Sequence, residues 1–156
     1  MKNDKKVILN NNINRCDCHG SAKDAIDLAA FGYVFNNSTS AQNIVIDSNV
    51  LFNNNGPLKN ITHTPGADSI LIHQTGICNI AFSIYTSANN FQGWGVAVNG
   101  VVLSYFKAYG RNISSSISLY LNANDIITIR NVDTVPNPAI LRIGVISAYV
   151  LIYRNN

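Results

Sequence analysis

The residues best suited to chemistry in this chain are its cysteines and histidines, and the densest group of them is Arg15-Cys16-Asp17-Cys18-His19-Gly20. Cys-x-Cys-His can begin a metal site, but a closed tetrahedral zinc site needs four ligands, and no second cysteine pair follows to complete one. Besides partial metal ligation, Cys16 and Cys18 could cross-link two subunits or remain inert thiols, and spacing alone leaves these fates open. Cys78 is different: it shares an alternating face with Ile80, Phe82 and Ile84 and reads as a small buried hydrophobe. His63 and His73 flank a Thr-Pro-Gly turn. A triad would need a nucleophile and an orienting acid beside one of them, and no Gly-x-Ser-x-Gly elbow occurs. Paired carboxylates fare no better, since all 8 acidic residues are Asp and no two recur at a spacing that makes an acid–base pair. Asp68 and Asp125 sit in turns, where Asp bonds local backbone, and EF-hand spacing is absent. The expectation is a protein with no catalytic residues, no cofactor and no completed metal site: not an enzyme.

Whatever these side chains do, a scaffold must position them, and composition narrows the choice. A chain of 156 residues fits one domain with a real core. Hydrophobic residues make up 47% and charged residues only 12%, about half the usual charged share, so the surface suits packing against neighbours. The net charge of +3 is scattered apart from Lys2, Lys5 and Lys6, with no basic stripe interleaved with aromatics, so nucleic acid is not an expected partner. No apolar run reaches the ~18 residues of a membrane span, and the longest is broken by Gly144 and Ser147. Behind the N-terminal lysines, Val7-Ile8-Leu9 gives way at once to Asn10-Asn11-Asn12, too short for a signal-peptide core. Neither Sec export nor a membrane partner is expected.

The first 28 residues are polar, Asn-rich and without sustained periodicity, and read as an extended arm (residues 1–28) ahead of one domain (residues 29–156). Beyond them, short strand patterns recur with turn residues between. Residues 78–85 alternate bulky apolar with small or polar side chains. Asn99-Gly100 between two apolar runs is a strong hairpin signal. Residues 113–121 alternate again, and residues 125–130 follow a turn at Asn122-Ala123-Asn124. Residues 141–154 are apolar on both faces and predict one long closing strand, buried on both sides. About ten strands and no helix predict an all-β sandwich of two antiparallel sheets. Asn53-Asn54-Asn55-Gly56 and residues 87–92 read as exposed loops, where a lectin-like glycan site would lie.

Four stretches carry a family resemblance: "AAFGYVFNN" (residues 29–37), "ITHTPGADSILIHQTGICNIAFSIYT" (61–86), "GVAVNGVVLS" (95–104) and "LYLNANDIITIRN" (119–131), with "ISAYVLIYR" closing the chain. Their order and wording resemble the C1q/TNF-like jelly roll, and in particular its bacterial branch on spore surfaces, with Asn124 where that branch usually has Gly. The Cys-x-Cys segment ahead of "AFGYVFN" is similar to an exosporium basal-layer protein and to subunits of endospore appendages. The resemblance implies homotrimers packed on an apolar, aromatic three-fold axis, with no catalytic role at any matched position. On that analogy Tyr149 and Tyr153 would face a partner subunit at the trimer interface. The implied function is structural: stacked trimers joined through the arm, Val7, Ile8 and Leu9 docking on a neighbouring trimer and Cys16 and Cys18 cross-linking subunits. The product would be a spore-surface fibre or exosporium layer, deposited from the mother-cell cytoplasm, with a collagen-like spore-surface glycoprotein as a possible anchored partner. The chain has no Gly-X-Y tract, so it is not itself a collagen-like filament.

Overall fold

A computed structural model describes residues 28–155. They form ten strands: β1 (Leu28–Asn36), β2 (Asn43–Ile44), β3 (Asn54–Lys59), β4 (Ile61–His63), β5 (Ile70–Ile72), β6 (Gly76–Val98), β7 (Val101–Leu121), β8 (Ile126–Val135), β9 (Ala139–Ile140) and β10 (Ala148–Asn155). No helix occurs among the described residues.

Two long strands set the architecture. Residues 76–85 of β6 pair with 112–121 of β7; after a break in register, residues 90–98 pair with 101–110. The first half of this hairpin continues a layer ordered β3-β1-β10-β6-β7, and the second half continues a layer ordered β4-β5-β8-β6-β7. The sheet is thus continuous but folded on itself into a sandwich, which the sequence predicted; the sequence split β6 and β7 into shorter strands. The hairpin turn is the expected one: Asn99 (φ 50°) and Gly100 (φ 83°) both adopt positive φ, as a two-residue loop between twisted strands requires.

The core lies between the layers. Val34, Cys78, Ile80, Phe82, Ile84, Val150 and Ile152 face it from one side, and Ile70, Ile72, Trp94, Val96, Ile127 and Ile129 from the other. Period-2 alternation does the sorting, because neighbouring side chains along a strand point to opposite faces. A buried polar knot holds the point where the hairpin changes layers. Gln92, wholly buried, donates to Thr86 Oγ1 (2.8 Å) and to the Gly110 carbonyl, and accepts from Trp94 Nε1–H (3.0 Å). A polar side chain survives there because all its bonds are made internally.

Three sequence expectations change. Residues 87–92 are exposed in part but are not a loop: Ser87, Ala88, Asn89 and Phe91 are exposed at the register break within β6, while Asn90 is buried and Gln92 is buried in the knot just described. Asn54-Asn55-Gly56 opens β3, with Asn54 opposite Phe35, so that segment is mostly strand. The closing strand is only eight residues long, and residues 141–147 precede it as a loop turned by Gly144 (φ 74°), leaving Ile143 and Ile146 exposed. An apolar run alone does not distinguish a strand covered on both faces from an apolar loop.

The strand directions define two ends. Leu28, Gly76, Leu121 and Asn155 share the base with the Asn99-Gly100 turn. Asn36, Tyr85, Val135 and Ala148 mark the apex, closed by the short β2–β9 pair and the loop before β10.

Candidate functional site

The outward face of the first layer is organised as three rungs. From β1 to β7 they read Phe35-Tyr149-Ser83-Ser114, Tyr33-Leu151-Ala81-Ser116 and Phe31-Tyr153-Asn79-Ser118. Every position on β1 and β10 is aromatic or leucine, and every position on β6 and β7 is small or Asn. The face is therefore a ridge beside a trough, and none of the twelve residues is charged.

The ridge is built by ring packing. Tyr33 stacks on Phe35 with centroids 5.2 Å apart and meets Tyr149 at 6.0 Å. Gly56 on β3 makes room for it: a Cβ there would lie 2.6 Å from the Tyr33 ring. Burial, and then the neighbouring Tyr149, push the Tyr33 phenol above its ordinary pKa. The trough has its own logic. Ser114 Oγ–H donates to Ser83 Oγ (2.9 Å), Ser83 to Asn112 Oδ1 (3.0 Å) and Ser118 to Asn79 Oδ1 (2.6 Å). The Ser83, Ser114 and Ser118 hydroxyls thus donate within the trough, which lowers the cost of covering them with an apolar partner. Within the trough is a cavity of about 170 Å³ whose walls include Ala81, Ser116, Ser118 and Tyr153.

This face presents aromatic, hydroxyl and amide groups and no charged side chain. Several titratable side chains elsewhere are tied into the fold. Buried His63 meets Asn55 Oδ1 through Nδ1 (2.5 Å) and the Ala67 carbonyl through Nε2 (3.1 Å), and His73 Nε2 meets Thr62 Oγ1 (2.5 Å). Asp125 accepts from the Asn122 backbone N–H (2.7 Å) and from Asn99 Nδ2 (2.8 Å), the turn role its sequence position predicted. Asp68 accepts from Asn49 Nδ2 (2.7 Å) and Ser69 Oγ (2.6 Å). Cys78 is fully buried, and desolvation raises its thiol pKa against a smaller opposing pull from Arg154. Among the described residues no three His, Cys, Asp or Glu side chains cluster to hold a metal.

Of the site residues predicted from sequence, Tyr149 and Tyr153 lie on the ridge, half-buried and outward-facing. Val7, Ile8, Leu9, Cys16 and Cys18 lie outside the described residues. The sequence reading missed Phe31, Tyr33 and Phe35, which share the ridge, and the trough serines. The signal was present: "FGYVF" places an aromatic at every second position, and the complementary positions Gly32 and Val34 are the buried ones.

No family model and no curated protein matches the sequence. Solved structures do match its fold. An Eiger TNF from S. frugiperda superposes with a TM-score of 0.59 at 13% identity, covering 81% of this chain and 92% of that one. Murine APRIL gives 0.59 at 12% identity over 80% and 98% of the two chains. The globular domain of zebrafish complement 1qA gives 0.55 at 13% over 81% and 99%. The chain has the C1q/TNF-like jelly-roll fold.

Proposed function

We propose that this protein is a non-enzymatic structural subunit that forms homotrimers and assembles further into a spore-surface fibre or exosporium layer. The observation that carries the reading is the uncharged ridge-and-trough face. Ridge and trough are different patches side by side, so the ridge of one copy in the trough of the next is a heterologous contact, and such a contact can close into a ring. A closed ring engages every ridge and trough, and the C1q/TNF-like resemblance implies that the ring has three copies. Aromatic ridges are the side chains that dominate interface energy, and the self-bonded serines can be covered at little cost. The jelly-roll fold supports the same reading.

The arm carries the second part. Val7-Ile8-Leu9 is the arm's apolar anchor and docks on a neighbouring trimer, and Cys16 and Cys18 then cross-link subunits outside the reducing cytoplasm. The likeness of the Cys-x-Cys segment and the following strand to the spore-surface branch supports deposition from a mother cell, with a collagen-like glycoprotein as a partner such a layer would anchor. Negative-stain electron microscopy of the full-length protein, with and without reductant, tests this. Ordered fibres or lattices support assembly, and their loss in reductant assigns the cross-link to Cys16 and Cys18. Discrete particles under both conditions contradict it.

A further inference from the structure

The ridge and trough leave a second apolar surface uncovered, at the apex. Residues 140–146 read Ile-Leu-Arg-Ile-Gly-Val-Ile, with Ile143 53% and Ile146 49% exposed while Leu141 is buried. The loop is fixed rather than loose: the Arg142 N–H donates to the Tyr85 carbonyl (3.0 Å) and the Gly144 N–H to Ser38 (3.2 Å). Beside it opens a cleft of about 290 Å³ lined by Ala41, Ser87 and residues 140–143. Its one charge, the Arg142 guanidinium, is turned onto the Tyr85 ring 5.4 Å away. Contiguous apolar surface held in one conformation marks a contact site.

We infer that this apical cleft receives Val7-Ile8-Leu9 of a second copy stacked above it, base to apex. The inference rests on the proposal that the arm joins copies, and it names where. The arm joins the jelly roll at Leu28, at the base, the end opposite the cleft. From Leu28 back to Leu9 is 28 − 9 = 19 residues, which span at most about 65 Å extended. β1, which runs from base to apex, is nine residues long, about 30 Å. That reach covers the apex of a copy stacked beneath the base as well as the chain's own cleft at the far end of the sandwich, and only the first of these joins copies. The cleft offers aliphatic walls and no acid, and Val7-Ile8-Leu9 is the only aliphatic triplet in residues 1–27. Base and apex are different surfaces, so the contact propagates along one axis and the product is a fibre rather than a two-dimensional layer.

The test uses full-length protein carrying photoreactive benzoylphenylalanine in place of Leu9, mixed with isotope-labelled unmodified copies. Mass spectrometry of the irradiated polymer should show residue 9 joined to residues 140–146 of a different copy. Cross-links within one copy, or to any other surface, overturn the inference. In parallel, Ile143→Asp with Ile146→Asp alters two exposed side chains, so the jelly roll should fold unchanged. Trimers should persist while the concentration needed for polymer rises at least about tenfold. Polymers forming as in the unmodified chain overturn the dock. If the unmodified chain itself never passes beyond a trimer, the arm-joining proposal fails and the dock with it. Polymers with cross-links elsewhere refute the dock alone.

Discussion

Truncating Tyr149 to Ala removes the ring that meets Tyr33 at 6.0 Å in the middle of the ridge. In the single chain Tyr149 is only half-buried and points away from the core, so the fold should lose about 1 kcal/mol. In the proposed trimer the same ring would sit in the trough of a neighbour, where a central aromatic is worth at least about 2 kcal/mol. A closed ring of three contains that contact three times, so the substitution costs assembly about 6 kcal/mol, or about four decades in the association constant. Sedimentation velocity over a dilution series from about 100 to 0.1 µM brackets such a shift. Trimer should give way to monomer at concentrations where the unaltered chain stays assembled, while the unfolding midpoint of the monomer barely moves. Ser116→Trp should reach the same end from the opposite side by filling the trough. If both variants dissociate at the same concentration as the unaltered chain, the ridge and trough are not the contact and the reasoning fails.

Other consequences of the structure are open to measurement. Gln92→Ala strips partners from Trp94 Nε1–H and Thr86 in a buried site, so the urea midpoint should fall by the equivalent of about 2–5 kcal/mol; a loss well under 1 would mean the knot is not structural. At Asp68 burial raises the carboxyl pKa, but hydrogen bonds from Ser69, Asn49 and its own backbone, with Arg130 nearby, outweigh it and leave the pKa below 3.8. That group adds stability above its unfolded pKa and loses it as pH falls through the lower folded value. Asp68→Asn should therefore flatten the acid limb of the stability–pH curve below about pH 4, and an unchanged limb would remove Asp68 from the account. Cys78, buried and with a raised thiol pKa, should react with Ellman's reagent only after unfolding. Rapid reaction of native Cys16→Ser/Cys18→Ser protein would place Cys78 at the surface instead.

Much of the fold was legible because strands write their faces into alternate residues. Residues 78–85 and 113–121 alternate as they do in the sheet, and Asn99-Gly100 names its own turn. The break inside β6 was legible as an interruption of the alternation between residues 85 and 94, but not that strand pairing continues through it and changes layers there. Gln92 bonds across that point to Thr86 and Gly110, partners six and eighteen residues away that meet only in the folded chain. The apical loop was misread for a related reason: Ile143, Val145 and Ile146 have strand chemistry but no strand partner. Of the twelve residues of the candidate face the sequence singled out only Tyr149 and Tyr153, and those by family analogy. The rest needed register, because only pairing β1 against β10 and β6 against β7 shows that aromatics stand beside serines on one face.

The central claim is three-fold association, and native mass spectrometry of the full-length protein tests it most directly. Ridge-into-trough packing predicts that every assembled species is a multiple of three copies of the 17.0 kDa chain, under reducing and non-reducing conditions alike. A population of monomers and dimers at micromolar concentration, with no species at a multiple of three, would contradict it.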